Sequence, residues 1–138
     1  MQRREERKKA MNENEIAGVV VDAAVEVHRA FGGPGLLEAV YEEALVFELE
    51  SRGMKLERQK AVGLVYKGRR LAFDLRLDLL VNGLVIVECK ATTSYNRLFE
   101  AQALTYLRLS DLRLALVINF GERLIRQGIH RVVNGLRE

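Results

Sequence analysis

Residues 76–90 constrain this chain more than any other stretch: Arg76-Leu77-Asp78-Leu79-Leu80-Val81-Asn82-Gly83-Leu84-Val85-Ile86-Val87-Glu88-Cys89-Lys90. Two apolar runs flank Asn82-Gly83, residues that accept left-handed backbone, so the segment is predicted to fold as two antiparallel strands joined by a short loop. Leu84 to Val87 is apolar on both faces, the pattern of a central strand covered on either side. Three charges nevertheless stand in these runs: Asp78, Glu88 and Lys90. Charges in such surroundings are costly unless paired, hydrated or bound to an ion. Two acids and one base of this kind point to a divalent cation held beside a lysine.

The rest of the chain supplies layers to cover that strand. Residues 1–12 form a charged tail, and residues 13–138 are predicted to be one domain, which suits a length of 138 residues. Asn12 or Asn14 caps a helix whose apolar stripe runs Ile16, Val19, Val20, Ala23 and Val27. Gly32-Gly33-Pro34-Gly35 stops it. A second helix spans about Leu36 to Ser51, with Leu37, Tyr41, Ala44, Leu45 and Glu48 on one side and Gly53 as its stop. From Leu56 the period changes to that of strands, with a hairpin turn at Lys67-Gly68-Arg69 and alternation at Leu71, Phe73, Leu75 and Leu77. Arg97 to Leu109 reads as a helix, Leu112 to Phe120 as a buried strand, and Ile125 to Val133 as a small terminal element. The order α-α-β-β-β-α-β describes an α/β domain with a mixed central sheet flanked by helices.

Composition narrows the chemistry. A single cysteine, Cys89, excludes an internal disulfide and a cysteine-based zinc site, and two histidines leave little for a histidine-rich one. A metal here would need oxygen ligands, which favours Mg²⁺ or Mn²⁺. No other cofactor is indicated. No apolar run reaches the ~20 residues of a membrane span, and no signal-like segment follows the charged N-terminus, so the expectation is a cytoplasmic protein without a membrane partner. The net charge of +3 is compatible with nucleic acid and does not by itself select it.

Register decides whether the three charges meet. Glu88 and Lys90, two apart on a strand, share a face, and Cys89 points the other way as a small buried residue. With a two-residue turn at Asn82-Gly83, Asp78 would oppose Val87 and face away from Glu88. With a three-residue loop or a bulge, Asp78 opposes Glu88 and both carboxylates reach one ion. In that second register Asp78 and Glu88, with the backbone carbonyl of Cys89, form the metal site. The metal polarises a scissile phosphate and lowers the pKa of a bound water. Lys90 orients that water or stabilises developing charge. The competing reading is a Glu–Lys pair of purely structural role, with Asp78 as a turn residue, because isolated E-x-K tripeptides are common.

These residues resemble a known group. Asp78…Glu88-Cys89-Lys90 is similar to the D…(D/E)xK signature of the PD-(D/E)XK nucleases, and Gly35-Leu36-Leu37-Glu38-Ala39-Val40-Tyr41 fits the GxxExxY motif of the family named after it. The likeness extends to Val27-His28, Gly33-Pro34-Gly35, Tyr66-Lys67-Gly68, Glu100-Ala101-Gln102 and Ile118-Asn119-Phe120-Gly121, covering about residues 13–134. Leu77 departs from the family, which often has Ala before the Asp. The resemblance implies a restriction-endonuclease-like core and a metal-dependent nuclease. It implies a site role for Glu38, whose alternative is a first-turn acid favoured by the helix dipole. Gln102 and Tyr106, four apart on a helix, match a QxxxY pattern that lies near the active site in some members, so Gln102 joins the expected site. Tyr41, Tyr106 and His28 are accessory candidates, although His28 also suits a residue binding carbonyls at a helix end. His130 is expected at the surface.

Arg97 and Arg76 are the expected phosphate contacts, and Tyr95-Asn96-Arg97 is the loop placed to meet substrate. The expected partner is nucleic acid, DNA ahead of RNA, with a homodimer as an allowed assembly. Two further readings stand beside the nuclease. One is a nuclease-like module that binds nucleic acid without cutting, and the other is a homo-oligomeric scaffold paired through a strand edge.

Overall fold

The structure, a computed structural model, describes residues 10–136; residues 1–9 of the charged tail lie outside the described residues. Helix α1 spans Glu13–Ala30 and starts at Asn12. The Asn12 side chain accepts from the Glu15 N–H at 2.8 Å, and the Glu15 carboxylate accepts from the Asn12 N–H at 2.9 Å. This reciprocal pair satisfies two of the amides that a helix start leaves without partners. The predicted stripe is the buried face: Ile16, Val20, Ala23 and Val27 are all inside. Gly32 and Gly33, with φ of 81° and 108°, end the helix where an L side chain would be strained.

Helix α2 spans Glu38–Ser51 and is rotated from the predicted face. Tyr41, Glu42, Leu45, Val46 and Leu49 point inward, whereas Leu37 is 77% exposed. Helix α3 spans Leu98–Ser110. The described residues form five strands, the first four where the sequence predicts strands: β1 Leu56–Tyr66, β2 Arg69–Val81, β3 Val85–Lys90, β4 Leu114–Asn119 and β5 Ile129–Val133. They lie in the order β1-β2-β3-β4-β5. Only β3 and β4 are parallel neighbours; the other pairings are antiparallel. The crossover between β3 and β4 contains α3, as a parallel pair requires. The terminal element is a short 3₁₀ turn, Ile125–Gly128, followed by a true fifth strand. The sequence showed that strand only faintly because β5 lies at the sheet's edge and just Val132 of it is buried.

Helices α1 and α2 cover one face of the sheet, packing Val20, Ala24, Tyr41 and Leu45 against Val87, Cys89, Leu116 and Ile118. Helix α3 covers the other through Ala103 and Leu107, which meet Leu80, Ile86, Ala115 and Val117. All six residues of β4 are buried. Each large apolar side chain placed there contributes roughly 1.5–3 kcal/mol relative to exposure. The result is the predicted restriction-endonuclease-like α/β architecture, with β3 held rigidly at its centre.

Candidate active site

Strands β2 and β3 are joined by Asn82, Gly83 and Leu84, a three-residue loop closed by the pair Val81↔Val85. Asn82 and Gly83 both have positive φ, 52° and 68°. Asn tolerates that conformation better than most residues and Gly adopts it freely, so the loop follows from the local sequence. The register then runs Leu80↔Ile86 and Leu79↔Val87, and the next positions are Asp78 and Glu88. The odd-numbered loop is therefore the register that brings the two acids face to face.

At that level the backbone ladder stops and side chains take over. The Asp78 N–H donates to Glu88 Oε2 at 2.8 Å, and the Cys89 N–H donates to Asp78 Oδ2 at 2.9 Å. Each carboxylate is pinned through one oxygen to the opposite strand, leaving Asp78 Oδ1 and Glu88 Oε1 outside these two bonds. Backbone donors to a carboxylate are short and strong and fix its orientation. The strands fork here. Alternation also breaks: Leu79 packs under α1 and α2, whereas Leu77, of the same parity, packs on the side of α3.

The opposite strand is distorted at the same level. Arg58↔Leu79 and Lys60↔Leu77 bracket Gln59 against Asp78, and Gln59 has a φ of 50°. This unusual backbone for a residue with a side chain lies beside the candidate site, where strain commonly collects. The Gln59 side-chain amide donates to both oxygens of Glu42 at 3.3 Å, and Arg58 pairs with Glu42 at 3.2 Å. Glu42, 6% exposed, lies one helical turn after Glu38 and so shares its face. A buried carboxylate held by an arginine and an amide is the usual way such a charge is tolerated.

The electrostatics agree with the geometry. Burial pushes the Glu88 carboxyl up to about 8, with the nearby Asp78 charge adding to the effect. Asp78 is also raised, chiefly by burial, although its bond from the Cys89 N–H opposes the rise. Glu38 is exposed at the start of α2; its carboxyl is raised by desolvation, with Lys90 opposing and Asp78 and Glu42 adding. The Tyr106 hydroxyl is raised by burial and by the charges of Glu88 and Asp78. Burial raises the Cys89 thiol, and Cys89 packs with α1 and α2. Glu88 and Lys90 therefore face the other way, as strand parity predicts. Lys90 Nζ sits 4.6 Å from the centroid of the Phe99 ring on α3.

The fork thus gathers Asp78, Glu88 and Lys90, with Glu38 and Tyr106 within electrostatic reach. Other predicted residues have different surroundings. Gln102 is exposed on α3 and lines a shallow depression with Phe99, the residue under Lys90. The Tyr41 ring is buried and stacks on Phe120 at 4.8 Å. Its hydroxyl donates to the Gly33 carbonyl at 2.8 Å and accepts from the Leu36 N–H at 3.3 Å. It braces the loop before Glu38 rather than reaching a site group.

His28 is buried, and its Nε2 bonds the Glu122 carbonyl at 2.8 Å, tying α1 to the loop after β4 instead of to its own last turn. His130 is not a free surface residue: its ring stacks on Tyr95 at 4.1 Å and its Nδ1 lies 3.7 Å from Glu100. The Tyr95 hydroxyl also bonds Glu100, at 3.1 Å, so the loop after β3 is fastened to α3. Arg97 is exposed at the start of α3. Arg76 Nη1 donates to the Gln59 carbonyl at 3.3 Å, beside the fork.

Sequence reasoning missed Glu42, Gln59 and Asn119. Glu42 was signalled by its spacing from Glu38. Asn119 ends β4 fully buried. Its side chain accepts from the N–H groups of Thr92 and Gly121, both at 3.0 Å, and donates to the Thr92 carbonyl at 2.9 Å. That clamp fixes the chain just after Lys90. Gly121 is part of it, since a Cβ there would lie 2.3 Å from the Thr92 carbonyl oxygen.

Could this fork hold an ion? Two half-buried or buried carboxylates are aimed at one another, and the Asp78 charge adds to the burial that raises Glu88; a cation between them would remove that repulsion. No group of three or more His, Cys, Asp or Glu among the described residues has the geometry of a metal cage. The two carboxylates of the fork are oxygen donors, a chemistry that would fit Mg²⁺, an ion that keeps several waters.

The family profile of the PD-(D/E)XK nuclease superfamily matches residues 14–132, and the chain belongs to that superfamily. Its members typically use divalent metals, and the superfamily implies a nucleic-acid substrate. Searches of curated proteins and of solved structures find no match. No helix among the described residues is long and apolar enough to cross a membrane.

Proposed function

We propose that this protein is a metal-dependent phosphodiesterase acting on nucleic acid, formed by one domain over residues 13–138 and placed in the GxxExxY branch of its superfamily. The observation that carries the reading is the fork itself: Asp78 and Glu88 opposed across β2 and β3, with Lys90 on the same strand face as Glu88. A catalytic cation, Mg²⁺ or Mn²⁺, would be held by Asp78, Glu88 and the Cys89 carbonyl. When bound it supplies Lewis acidity towards a phosphate oxygen and an acidified water.

The chain's own groups do the rest. The backbone amides of Asp78 and Cys89 keep the two carboxylates in place before substrate arrives. Lys90, on the strand face of Glu88, positions the attacking water or offsets charge developing on the phosphate. Glu38 is an auxiliary acid, its carboxyl raised by desolvation, that holds a water or takes a proton. Gln102 and Tyr106 line the α3 side, and Arg97 and Arg76 meet phosphates on either flank. DNA is the preferred substrate over RNA, the compartment is the cytoplasm, and a homodimer is compatible with this layout.

The test is cleavage of labelled single-stranded, duplex and branched DNA, and of RNA, with Mg²⁺, Mn²⁺ or EDTA. The reading expects metal-dependent cutting that drops about 100-fold or more in Lys90→Ala, as for loss of one transition-state donor. Cutting that survives in Lys90→Ala, or binding without cutting by the wild-type chain, would contradict it.

A further inference from the structure

Beyond the fork, the β1–β2 hairpin leaves the body of the sheet. Every residue of β2 from Arg69 to Asp74 is exposed, on both of its faces. Exposed apolar surface collects there: Phe73 is 82% exposed, Val65 64% and Tyr66 60%. Tyr66 pairs with Arg69, and the Arg70–Asp74 ion pair keeps the even positions on one face across the register shift at Gly63/Val65, which leaves Leu71 and Phe73 on the face of Arg69 and Tyr66. Lys67 Nζ lies 5.4 Å from the Tyr66 ring centroid. One face of the arm therefore presents two aromatic rings beside two cations, and neither Lys67 nor Arg69 has an ion-pair partner among the described residues.

Charge decides what this face is for. Residues 58–76 contain six cations, Arg58, Lys60, Lys67, Arg69, Arg70 and Arg76, against one acid, Asp74. Over the whole hairpin, Leu56–Val81, Glu57 and Asp78 bring the balance to +3, so the hairpin carries all of the chain's net +3. Two such arms would repel one another face to face, which disfavours a second copy as occupant. A polyanion with exposed rings of its own is complementary. Base-paired stacks hide those rings, whereas single strands offer them.

We infer that the β1–β2 hairpin is a platform for single-stranded nucleic acid, with bases stacked on Tyr66 and Phe73 and phosphates met by Lys67 and Arg69. Phe73 lies five positions before Asp78, about 17 Å along a strand, so a strand seated on the arm is led towards the fork. That last step rests on the nuclease reading; the binding itself does not.

Fluorescence anisotropy in EDTA, where nothing is cut, separates the two. With an oligothymidylate of about 20 nucleotides, Tyr66→Ala/Phe73→Ala is expected to bind roughly 30-fold more weakly, as loss of two stacking rings implies. Binding to a duplex of equal length should change little. Tyr66→Trp/Phe73→Trp should restore single-strand binding, and Lys67→Ala/Arg69→Ala should flatten its salt dependence by roughly one unit of slope. Thermal melts of all variants should match the wild type, since the altered side chains are exposed. Wild-type affinity in the double alanine variant would overturn the inference. So would a sedimentation shift from dimer to monomer in that variant with binding unaltered, which would assign the face to a second copy. Arm-dependent binding in a protein that never cuts would uphold the platform and refute only the nuclease.

Discussion

Strand β3 has two neighbours that treat it differently. Along β4 the pairing is registered over all six positions, from Val85↔Leu114 to Lys90↔Asn119. Along β2 it is registered over three and stops at Leu79↔Val87. On the β4 side the facing residues are apolar up to the buried Asn119; on the β2 side two acids replace the next rung. The first flank is built for stability and holds Lys90 still. The second gives up backbone pairing and places like charges together, an arrangement that costs stability, as sites kept for function commonly do.

Changes on the two flanks should separate accordingly. Asp78→Asn should lower metal-dependent cleavage about 1000-fold, the scale of losing a transition-state stabilising group, while leaving the metal-free melting temperature unchanged or higher. The same change lowering stability and sparing cleavage would break the contrast. Leu116→Ala, in the centre of β4, should destabilise by about 3 kcal/mol in urea titration, through lost burial and the cavity left behind. Asn119→Ala should cost roughly 2 kcal/mol, because part-buried Thr92 and Gly121 backbone groups lose their partner; cleavage should fall only as far as Lys90 loosens.

A smaller effect concerns pH. Glu88 titrates at about 8 in the fold, raised first by burial and then by Asp78. A folded acid with a raised pKa binds protons that the unfolded chain has released, so its contribution is full below the ordinary carboxylate range and lost as pH rises through about 8. The melting temperature of the metal-free protein should therefore decline between pH 5 and 8 in wild type and stay flatter in Glu88→Gln. Mg²⁺ should restore it most at the alkaline end, where both carboxylates are charged.

Much of this contrast was legible in the residues. Continuous apolar character marked β3 and β4 as central, Asn82-Gly83 allowed the odd loop, and the spacing of Asp78 from Glu88 stated the condition under which the acids meet. What stayed hidden depended on contacts distant in sequence. Glu42 looks like any helix glutamate until α2 turns it towards Arg58 and Gln59. The left-handed Gln59 carries no signal of its own, since glutamine is an ordinary strand residue. Asn119 fell inside the predicted strand and the family likeness without a role, and its three bonds to Thr92 and Gly121 emerge only when β4 lies beside β3. The inward roll of α2 moved Leu37 outside because Tyr41 and Leu45, buried against Phe120 and the sheet, set the helix face.

Binding of Mn²⁺ followed by electron paramagnetic resonance or calorimetry, without nucleic acid, tests the fork most directly. The wild-type protein should take up Mn²⁺ with proton release near pH 7, and Asp78→Asn/Glu88→Gln should take up essentially none while remaining folded. Equal uptake by the double variant would show that the opposed carboxylates are not where the ion binds.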